Sequence, residues 1–179
     1  FIQPYGDDPF DDVFVGHMVY KKLIYNADRY LYITTPYLVL DDEMVHALCQ
    51  AAGSGVDVRI ITPHIWDKAY VRTVSRSYYK QFLAAGVQIF EYTPGFIHSK
   101  TLVTDDETAV IGTINFDYRS LYLHFEDAVV VYNQGCVGEV KADFLATQSQ
   151  SQKITPENCE QSLPMRLFAQ FLRLFSPLM

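Results

Sequence analysis

The sequence predicts a single domain of the α/β class. Segments with helical periodicity alternate along the chain with short apolar segments typical of buried strands, and this alternation is the signature of the class. The composition supplies the core that such a fold needs, since 49% of the 179 residues are hydrophobic and only 20% are charged.

In the first half of the chain, a polar and acidic opening through Asp12 leads into a predicted helix over 13–26. The segment RYLYITTPYLVL predicts a buried strand that stops at Pro36. Next, DDEMVHALCQAAGSG predicts an amphipathic helix with acidic residues in its first turn and with Gly53 and Gly55 past its end. The following segments predict a strand (VDVRIITPH), a helix (SRSYYKQFLAAG) and a strand (VQIFEYTPG).

The second half of the chain begins with a predicted hairpin. Strands over 97–104 and 108–112 flank the tight turn DDE. A strand (AVVVY) and a helix over 135–147 follow, and the polar loop QSQSQKITPEN then leads to a final helix. We therefore expect residues 1–150 to form the domain, and residues 151–179 to form a C-terminal loop and an amphipathic helix.

Charge and cysteine content exclude several classes of function. The formal net charge is −7, and a protein that tracks a nucleic-acid backbone normally carries the opposite sign, so no nucleic-acid partner is expected. The three cysteines stand far apart, without metal-ligand spacing. No stretch is long and apolar enough to cross a bilayer. The sequence begins with Phe1 rather than methionine, and we expect it to be part of a longer protein.

Ionisable and amide side chains concentrate in the segment FIHSKTLVTDDETAVIGTIN. Side chains at i and i+2 of a strand share a face, so His98 and Lys100 should point the same way. Gly112 ends the next strand where the backbone must bend, and Asn115 leads into a predicted helix start, whose free N–H groups bind phosphate well. Each of these residues alone is more often structural than functional. Together they suit phosphoryl or phosphatidyl transfer, with the histidine attacking phosphorus.

The same residues match a known pattern, HxKx4Dx6G[ST]xN, at every fixed position: His98, Lys100, Asp105, Gly112, Thr113 and Asn115. The pattern resembles the HKD motif of the phospholipase D superfamily. The resemblance is closest to the second, C-terminal catalytic half of bacterial cardiolipin synthases, and it extends to ITTPYL, GVDVRIITP and GTINFDYRS. The family's membrane-spanning N-terminus and its first HKD motif are missing from this sequence. The resemblance implies a phospholipase D-like α/β/α sandwich with a mixed central sheet.

The resemblance also implies how the main site residues act. His98 would be one of two active-site histidines, of which one forms a phosphohistidine and the other protonates the leaving alcohol; the sequence leaves open which role His98 takes. Lys100 and Asn115 would hold the phosphoryl oxygens. No cofactor and no metal is expected.

The other residues of the pattern are expected to support this chemistry. Asp105 belongs to the catalytic motif, but it lies at the hairpin turn, where aspartate is favoured for turn geometry alone, so we predict a structural or orienting role. Glu126 resembles the family glutamate that hydrogen-bonds an active-site histidine, fixing its tautomer and raising its basicity. Gly112 and Thr113 are included as supporting residues.

The implied reaction is the transfer of a phosphatidyl group between two phosphatidylglycerol molecules, which gives cardiolipin and glycerol. A phospholipase D hydrolase and a phosphatidylserine synthase differ only in the acceptor and stay open, as do a phosphodiesterase nuclease and a non-catalytic lipid-binding module. The expected partners are phosphatidylglycerol, a membrane surface, and either the N-terminal half with the first HKD motif or a second copy of the chain. The parent enzyme is expected at the bacterial cell membrane, with this part of it soluble or peripheral and with little activity alone.

The final helix, over 163–175, supports two interpretations. The polar residues Arg166, Gln170 and Arg173 recur on one side and leave a wide apolar face. This face would either lie in a membrane interface or dock on the domain. The implied lipid substrate favours the membrane slightly.

Three further side chains lie near the motif or at strand ends. Tyr37 follows a strand and is assigned to packing rather than to the site. Arg119 would either contact a lipid phosphate or pair with Asp117 or Asp127, and His124 is expected to be a bystander.

Overall fold

A computed structural model describes residues 1–159 and 162–178. The strands are β1 (Ile2–Asp7), β2 (Tyr30–Thr34), β3 (Leu38–Val39), β4 (Asp57–Pro63), β5 (Gln88–Tyr92), β6 (Thr101–Thr104), β7 (Thr108–Gly112), β8 (Phe116–Asp117), β9 (Glu126–Tyr132) and β10 (Ser151–Lys153). The helices are α1 (Val15–Asn26), α2 (Asp42–Gly53), α3 (Ala69–Ala85), α4 (Tyr118–Tyr122), α5 (Gly135–Ser149) and α6 (Leu163–Arg173).

Eight strands form one mixed sheet in the order β1-β9-β7-β6-β2-β4-β5-β10. The central strands β2, β4 and β5 are parallel, whereas the outer pairs, including β6 with β7 and β7 with β9, are antiparallel. Strands β3 and β8 form a separate two-stranded parallel sheet. The predicted mixed sheet is confirmed.

Helices cover both faces of the large sheet, because its central strands are apolar on both sides. All five residues of β2 are buried. Leu31 and Ile33 of this strand belong to the larger core, which also takes in side chains of α1, α2 and α3. Tyr32 points into the smaller core, where it stacks on Phe144 of α5 with ring centroids 4.7 Å apart. The predicted α/β/α sandwich is therefore confirmed.

Two edge strands were not predicted from the sequence. The acidic opening segment includes β1, which pairs antiparallel with β9, and the predicted polar loop includes β10, which pairs with β5. Most of their side chains are exposed, so their sequences, IQPYGD and SQK, carry no alternation of apolar and polar residues. Backbone pairing with the neighbouring strand forms them. The division of the chain at residue 150 stays a prediction, although β10 extends the sheet across it.

Helix α6 packs against α3 at the surface of the domain. Its Ala169 is fully buried, and the Arg173 guanidinium lies 4.3 Å from the ring centroid of Tyr78 in α3. Within the described residues, no helix combines the length and the apolar character needed to span a membrane.

Candidate active site

The two parts of the HKD motif, His98–Lys100 and Gly112–Asn115, meet at one end of the neighbouring strands β6 and β7. Because β6 and β7 are antiparallel neighbours, the residues before β6 lie beside the residues after β7. An open cleft of about 490 Å³ lies there. Its lining residues are His98, Ser99, Lys100, Thr101, Ile111, Gly112, Thr113 and Asn115.

His98 lies in an irregular segment and is exposed to solvent. The predicted strand over 97–104 begins only at Thr101, so the shared-face argument for residues i and i+2 of a strand does not apply to His98 and Lys100. The imidazole instead packs beside Phe96, with ring centroids 5.6 Å apart. Partial loss of hydration and the nearby Lys100 ammonium lower the pKa of His98, and Asp67 opposes them. The neutral imidazole is therefore favoured.

Lys100 is buried, with 9% of its surface exposed. Its Nζ donates a hydrogen bond to the backbone oxygen of His98 at 2.7 Å, and its own backbone oxygen accepts from the Gly112 N–H at 3.3 Å. Burial lowers the pKa of Lys100, while the carboxylates of Glu126 and Asp117 favour its charged form. The lysine at the base of the site is thus subject to two opposing effects, of which burial is the larger.

Asn115 joins the cleft, but it does not start a helix as predicted. Strand β8 follows it directly, and α4 begins only at Tyr118, because the Asp117 carboxylate caps that helix by accepting from the Ser120 N–H at 2.7 Å. The Asn115 side chain donates to the Ser120 hydroxyl at 2.8 Å, and its Oδ1 is buried without a partner. If the side-chain amide of Asn115 were flipped, Oδ1 would accept a hydrogen bond from the Ser120 hydroxyl and Nδ2 would become a free donor.

Thr113 and Glu126 form a brace between the end of β7 and the start of β9. The Thr113 hydroxyl donates to the Glu126 carboxylate and accepts from the Asp127 N–H at 3.0 Å. A Glu126 oxygen lies 3.7 Å from Nδ1 of His124. Glu126 was expected to hydrogen-bond an active-site histidine, and among the contacts of the described residues it makes no such bond to His98. His124, taken as a bystander, is thus the histidine beside this carboxylate.

Gly112 serves a different purpose from the predicted bend. It is the last residue of β7, directly opposite Ala128 of β9. A Cβ atom at residue 112 would fall 2.6 Å from the Cα of Ala128, which is closer than real Cβ atoms approach. Close packing of the two backbones therefore requires a glycine here.

Asp105 lies at the turn between β6 and β7, at the opposite end of β6 from Lys100. Its carboxylate accepts hydrogen bonds from the backbone N–H groups of Asp28, Arg29 and Tyr30 at 2.8 to 2.9 Å. These bonds lower its pKa despite partial burial. The structure thus separates Asp105 from the cleft and does not support the catalytic assignment that the motif gave it.

Replacing Asp105 by asparagine should therefore lower the stability of the fold rather than the rate of the reaction. Asparagine tolerates the positive φ of 58° at this position but offers a single uncharged acceptor oxygen to three N–H groups. We expect Asp105→Asn to reduce the free energy of unfolding by about 1–2 kcal/mol in urea titrations. Turnover of the folded parent enzyme should stay close to the wild-type value, and a large loss of turnover would contradict a structural role.

A second cavity of about 280 Å³ adjoins the cleft and shares Asn115 with it. Its lining residues are Tyr37, Val39, Lys68, Val71, Asn115, Asp117, Arg119, Ser120 and His124. The Tyr37 hydroxyl donates to Asp67 at 2.6 Å, and Lys68 lies 5.0 Å from the centroid of the Tyr37 ring. Tyr37 therefore lines this cavity in addition to its expected packing role.

Sequence reasoning missed Lys68 and Asp67, because they lie in the loop between β4 and α3 and match no motif. The structure also shows what Arg119 contacts, which the sequence left open. Its Nε donates to Nε2 of His124 at 3.2 Å. The described residues contain no group of three or more histidine, cysteine or acidic side chains that could hold a metal ion.

Fold and sequence together define a domain of the phospholipase D type. The family model described as "Cardiolipin synthase, PLD-like domain" matches residues 20–147. A cardiolipin synthase of Geobacillus sp. strain WCH70 is 41% identical over 162 residues, which are 90% of this chain and 32% of that protein. The chain belongs to the family of phospholipase D-like domains of cardiolipin synthases, and it spans about a third of the length of the curated relatives it matches.

Solved structures agree in fold. Phosphatidylserine synthase from Haemophilus influenzae Rd KW20 superimposes with a TM-score of 0.81 over 99% of this chain and 48% of that chain, at 15% identity. The phospholipase D family member Nuc from Salmonella typhimurium gives a TM-score of 0.72 over 86% of this chain and 97% of that chain, at 18% identity. At these identities the likeness concerns the fold alone.

Proposed function

We propose that this chain supplies one half-site of a phosphatidyltransferase that makes cardiolipin and glycerol from two molecules of phosphatidylglycerol. The observation that carries the proposal is the cleft, which gathers His98, Lys100 and Asn115 at the edge of the sheet in a family of cardiolipin synthase domains. An imidazole, an ammonium and a carboxamide are complementary to a phosphodiester.

In the proposed reaction, His98 is the nucleophile. An imidazole nitrogen forms a bond to the phosphorus of one phosphatidylglycerol, and the bond from phosphorus to the glycerol oxygen breaks. A histidine of the other HKD motif gives its proton to the departing glycerol. It then removes the proton from a hydroxyl of the second phosphatidylglycerol, which attacks phosphorus and frees His98. The lowered pKa of His98 supports this assignment, because attack requires the neutral ring.

Product analysis of the parent enzyme tests the proposal. Purified enzyme in vesicles of phosphatidylglycerol should produce cardiolipin and glycerol in equal amounts. Phosphatidic acid as the only lipid product would indicate hydrolysis. Formation of phosphatidylserine on addition of serine would favour a phosphatidylserine synthase, the alternative that differs in the acceptor.

Two further alternatives have less support. A phosphodiesterase nuclease would use the same motif, but the formal charge of −7 disfavours a nucleic-acid substrate. A non-catalytic lipid-binding module would retain the cleft by descent. DNA-cleavage assays and substitution of the motif in the parent enzyme separate these two from a phosphatidyltransferase.

Loss of the Lys100 ammonium should slow the parent enzyme strongly. Lys100→Ala removes a buried cation that stabilises charge as it develops on the phosphoryl oxygens, and we expect kcat to fall at least ~100-fold. Lys22→Ala, at an exposed position of α1, is the matched control and should leave kcat unchanged. A Lys100→Ala enzyme as fast as the control would contradict the assigned role.

We infer that the open cleft is completed by a partner. Near it, Phe10 and Phe125 pack edge to face with centroids 5.5 Å apart, and 86% and 67% of their surfaces are exposed. Phe125 directly precedes Glu126, whose carboxylate accepts a hydrogen bond from Thr113 of the cleft lining. We propose that this exposed aromatic pair is covered by the half carrying the first HKD motif or, in its absence, by a second copy of the chain in a two-fold dimer.

Analytical ultracentrifugation tests the dimer. The chain should sediment as a dimer at high concentration, and Phe125→Ser should shift it toward monomer. It should have little synthase activity alone, and a separately made N-terminal half should restore turnover. A single monomeric species at every concentration would rule out pairing with a second copy.

A further inference from the structure

Helix α6 is fixed on the domain by a narrow face rather than by its wide apolar face. Ala169 is fully buried, Leu172 packs against the main core, and Arg173 lies over the Tyr78 ring and 3.6 Å from Asp42. This is the reverse of the usual arrangement, in which an amphipathic helix turns its widest apolar face toward the core. The docking therefore leaves that face unoccupied.

The apolar face of α6 and the residues that follow is exposed over a continuous stripe. One helical turn separates Leu167 from Phe171, and 63% and 55% of their surfaces are accessible. The other members of the stripe, between 41% and 75% exposed, are Leu163, Phe168, Leu174 and Phe175. So many large apolar side chains on one surface mark a site of interaction.

A basic cavity of about 560 Å³ lies between α3 and α6, beside this stripe. Its lining residues are Arg76, Ser77, Lys80, Leu83, Ala84, Pro156, Cys159, Arg166 and Gln170. Arg76 is already paired with the buried carboxylate of Glu91 at 3.2 Å. Among the described residues, neither Lys80 nor Arg166 takes part in an ion pair, and no described lining residue is acidic. Within residues 1–159 and 162–178, these two cations thus have no counter-charge.

The order of residues around α6 joins the cavity to the stripe. Arg166 and Gln170 line the cavity, and their direct neighbours on the helix surface are Leu163, Leu167 and Leu174. A ligand with an anionic head and an apolar tail could therefore fill both regions at once. A phospholipid in a membrane surface presents this combination of groups.

We propose that α6 is a membrane-docking element: its apolar stripe inserts into the outer part of a bilayer, and the cavity with Lys80 and Arg166 binds the phosphate of an anionic phospholipid. Helices that lie in a membrane interface have this combination of an apolar face and flanking cations. The net charge of −7 would repel an anionic surface in general, so these two cations must act locally. The proposal extends the proposed function, since it supplies a route to a lipid substrate, but its test is binding alone.

A second copy of the chain is the competing occupant, and the cations argue against it. A two-fold contact through the stripe would bring Lys80 and Arg166 of two copies toward each other, and no described lining residue of the cavity supplies a carboxylate to pair them. An anionic lipid surface pairs the cations and covers the stripe in one step.

Sedimentation of the chain with sucrose-loaded vesicles tests the proposal. One set of vesicles is phosphatidylcholine, and the other is a mixture of phosphatidylcholine and phosphatidylglycerol. The wild-type chain should bind both and prefer the anionic vesicles. Phe168→Ser combined with Phe171→Ser should weaken binding to both sets at least ~10-fold. Tyr25→Ser, at an exposed aromatic residue of α1, is the matched control and should bind like the wild type.

The cations are tested separately. Lys80→Gln and Arg166→Gln should each weaken binding about fivefold on the anionic vesicles only. Lys22→Gln, which changes the net charge equally at an exposed site on α1, should have much less effect. Thermal melts should show that every variant is folded, because the substituted side chains are exposed.

Three outcomes would overturn the proposal. In the first, the wild-type chain binds neither set of vesicles. In the second, the Phe168→Ser/Phe171→Ser variant binds vesicles like the wild type. In the third, that variant loses self-association in the absence of vesicles, which would identify a second copy as the occupant. The proposed function can fail independently: His98→Ala should bind vesicles like the wild type whether or not His98 is catalytic.

Discussion

His98→Ala in the full-length parent enzyme should lower kcat for cardiolipin formation by roughly 10⁴-fold or more, because it removes the group that forms the bond to phosphorus. Lys100 and Asn115 would remain to bind the phosphodiester, so KM should change little. The matched control is His46→Ala, at an exposed histidine of α2 away from the cleft, which should leave kcat unchanged. Equal activity of His98→Ala and the control would end the catalytic assignment.

A trapping experiment separates the two possible roles of His98. With a radiolabelled phosphatidyl donor and rapid acid quench, the wild-type enzyme should carry label that His98→Ala lacks. If His98 were the general acid, label would instead persist in the variant, because the nucleophile would be intact. The pH dependence of kcat/KM is a second test. The pKa of His98 is lowered and attack needs the neutral ring. We therefore expect kcat/KM to fall only as the pH drops below the ordinary histidine value of 6.5.

The HKD motif predicted that His98, Lys100 and Asn115 share a cleft, but not the local geometry that brings them there. Asp105, another residue of the motif, lies at the opposite end of β6. His98 and Lys100 were expected to meet on one face of a strand, yet that strand begins at Thr101. They reach Asn115 because β6 and β7 are antiparallel neighbours. Register between strands comes from packing and turn geometry, which a short segment does not encode by itself.

Other features left no pattern to recognise. Strand β1 is an exposed edge whose side chains do not alternate, and only its backbone pairing with β9 defines it. Asp67 and Lys68 come near the site through the loop between β4 and α3, far from the motif in sequence. In α6 the periodicity correctly gave an apolar face, but periodicity cannot tell which face packs. The buried Ala169, the packing of Leu172 and the Tyr78–Arg173 contact show that a narrow face packs, whereas the wide apolar face stays exposed.

Gly112→Ala should destabilise the fold by about 3 kcal/mol or more, the largest effect on stability that we expect from adding one methyl group. The new Cβ would meet the Cβ and Cα atoms of Ala128 and the backbone oxygen of Asp127. Two of these three atoms belong to the backbone of β9, which is held between β7 and β1 and cannot rotate away as a side chain would. The strand itself must move, and that movement would also disturb the Thr113–Glu126 brace beside the cleft.

The Gly112 prediction can be separated from a general effect of replacing glycine. Gly138 lies inside α5 with nothing within 4 Å of its virtual Cβ, so Gly138→Ala should instead stabilise the chain by about 0.5–1 kcal/mol. Guanidinium unfolding of both variants measures the contrast. Adding Ala128→Gly to Gly112→Ala should restore only part of the loss, since it removes the Cβ contact and leaves the two backbone contacts in place. Full recovery in that double variant would mean that β9 can shift. In that case Gly112 would be needed only to make room for the Ala128 side chain, and not to allow the two backbones to approach closely.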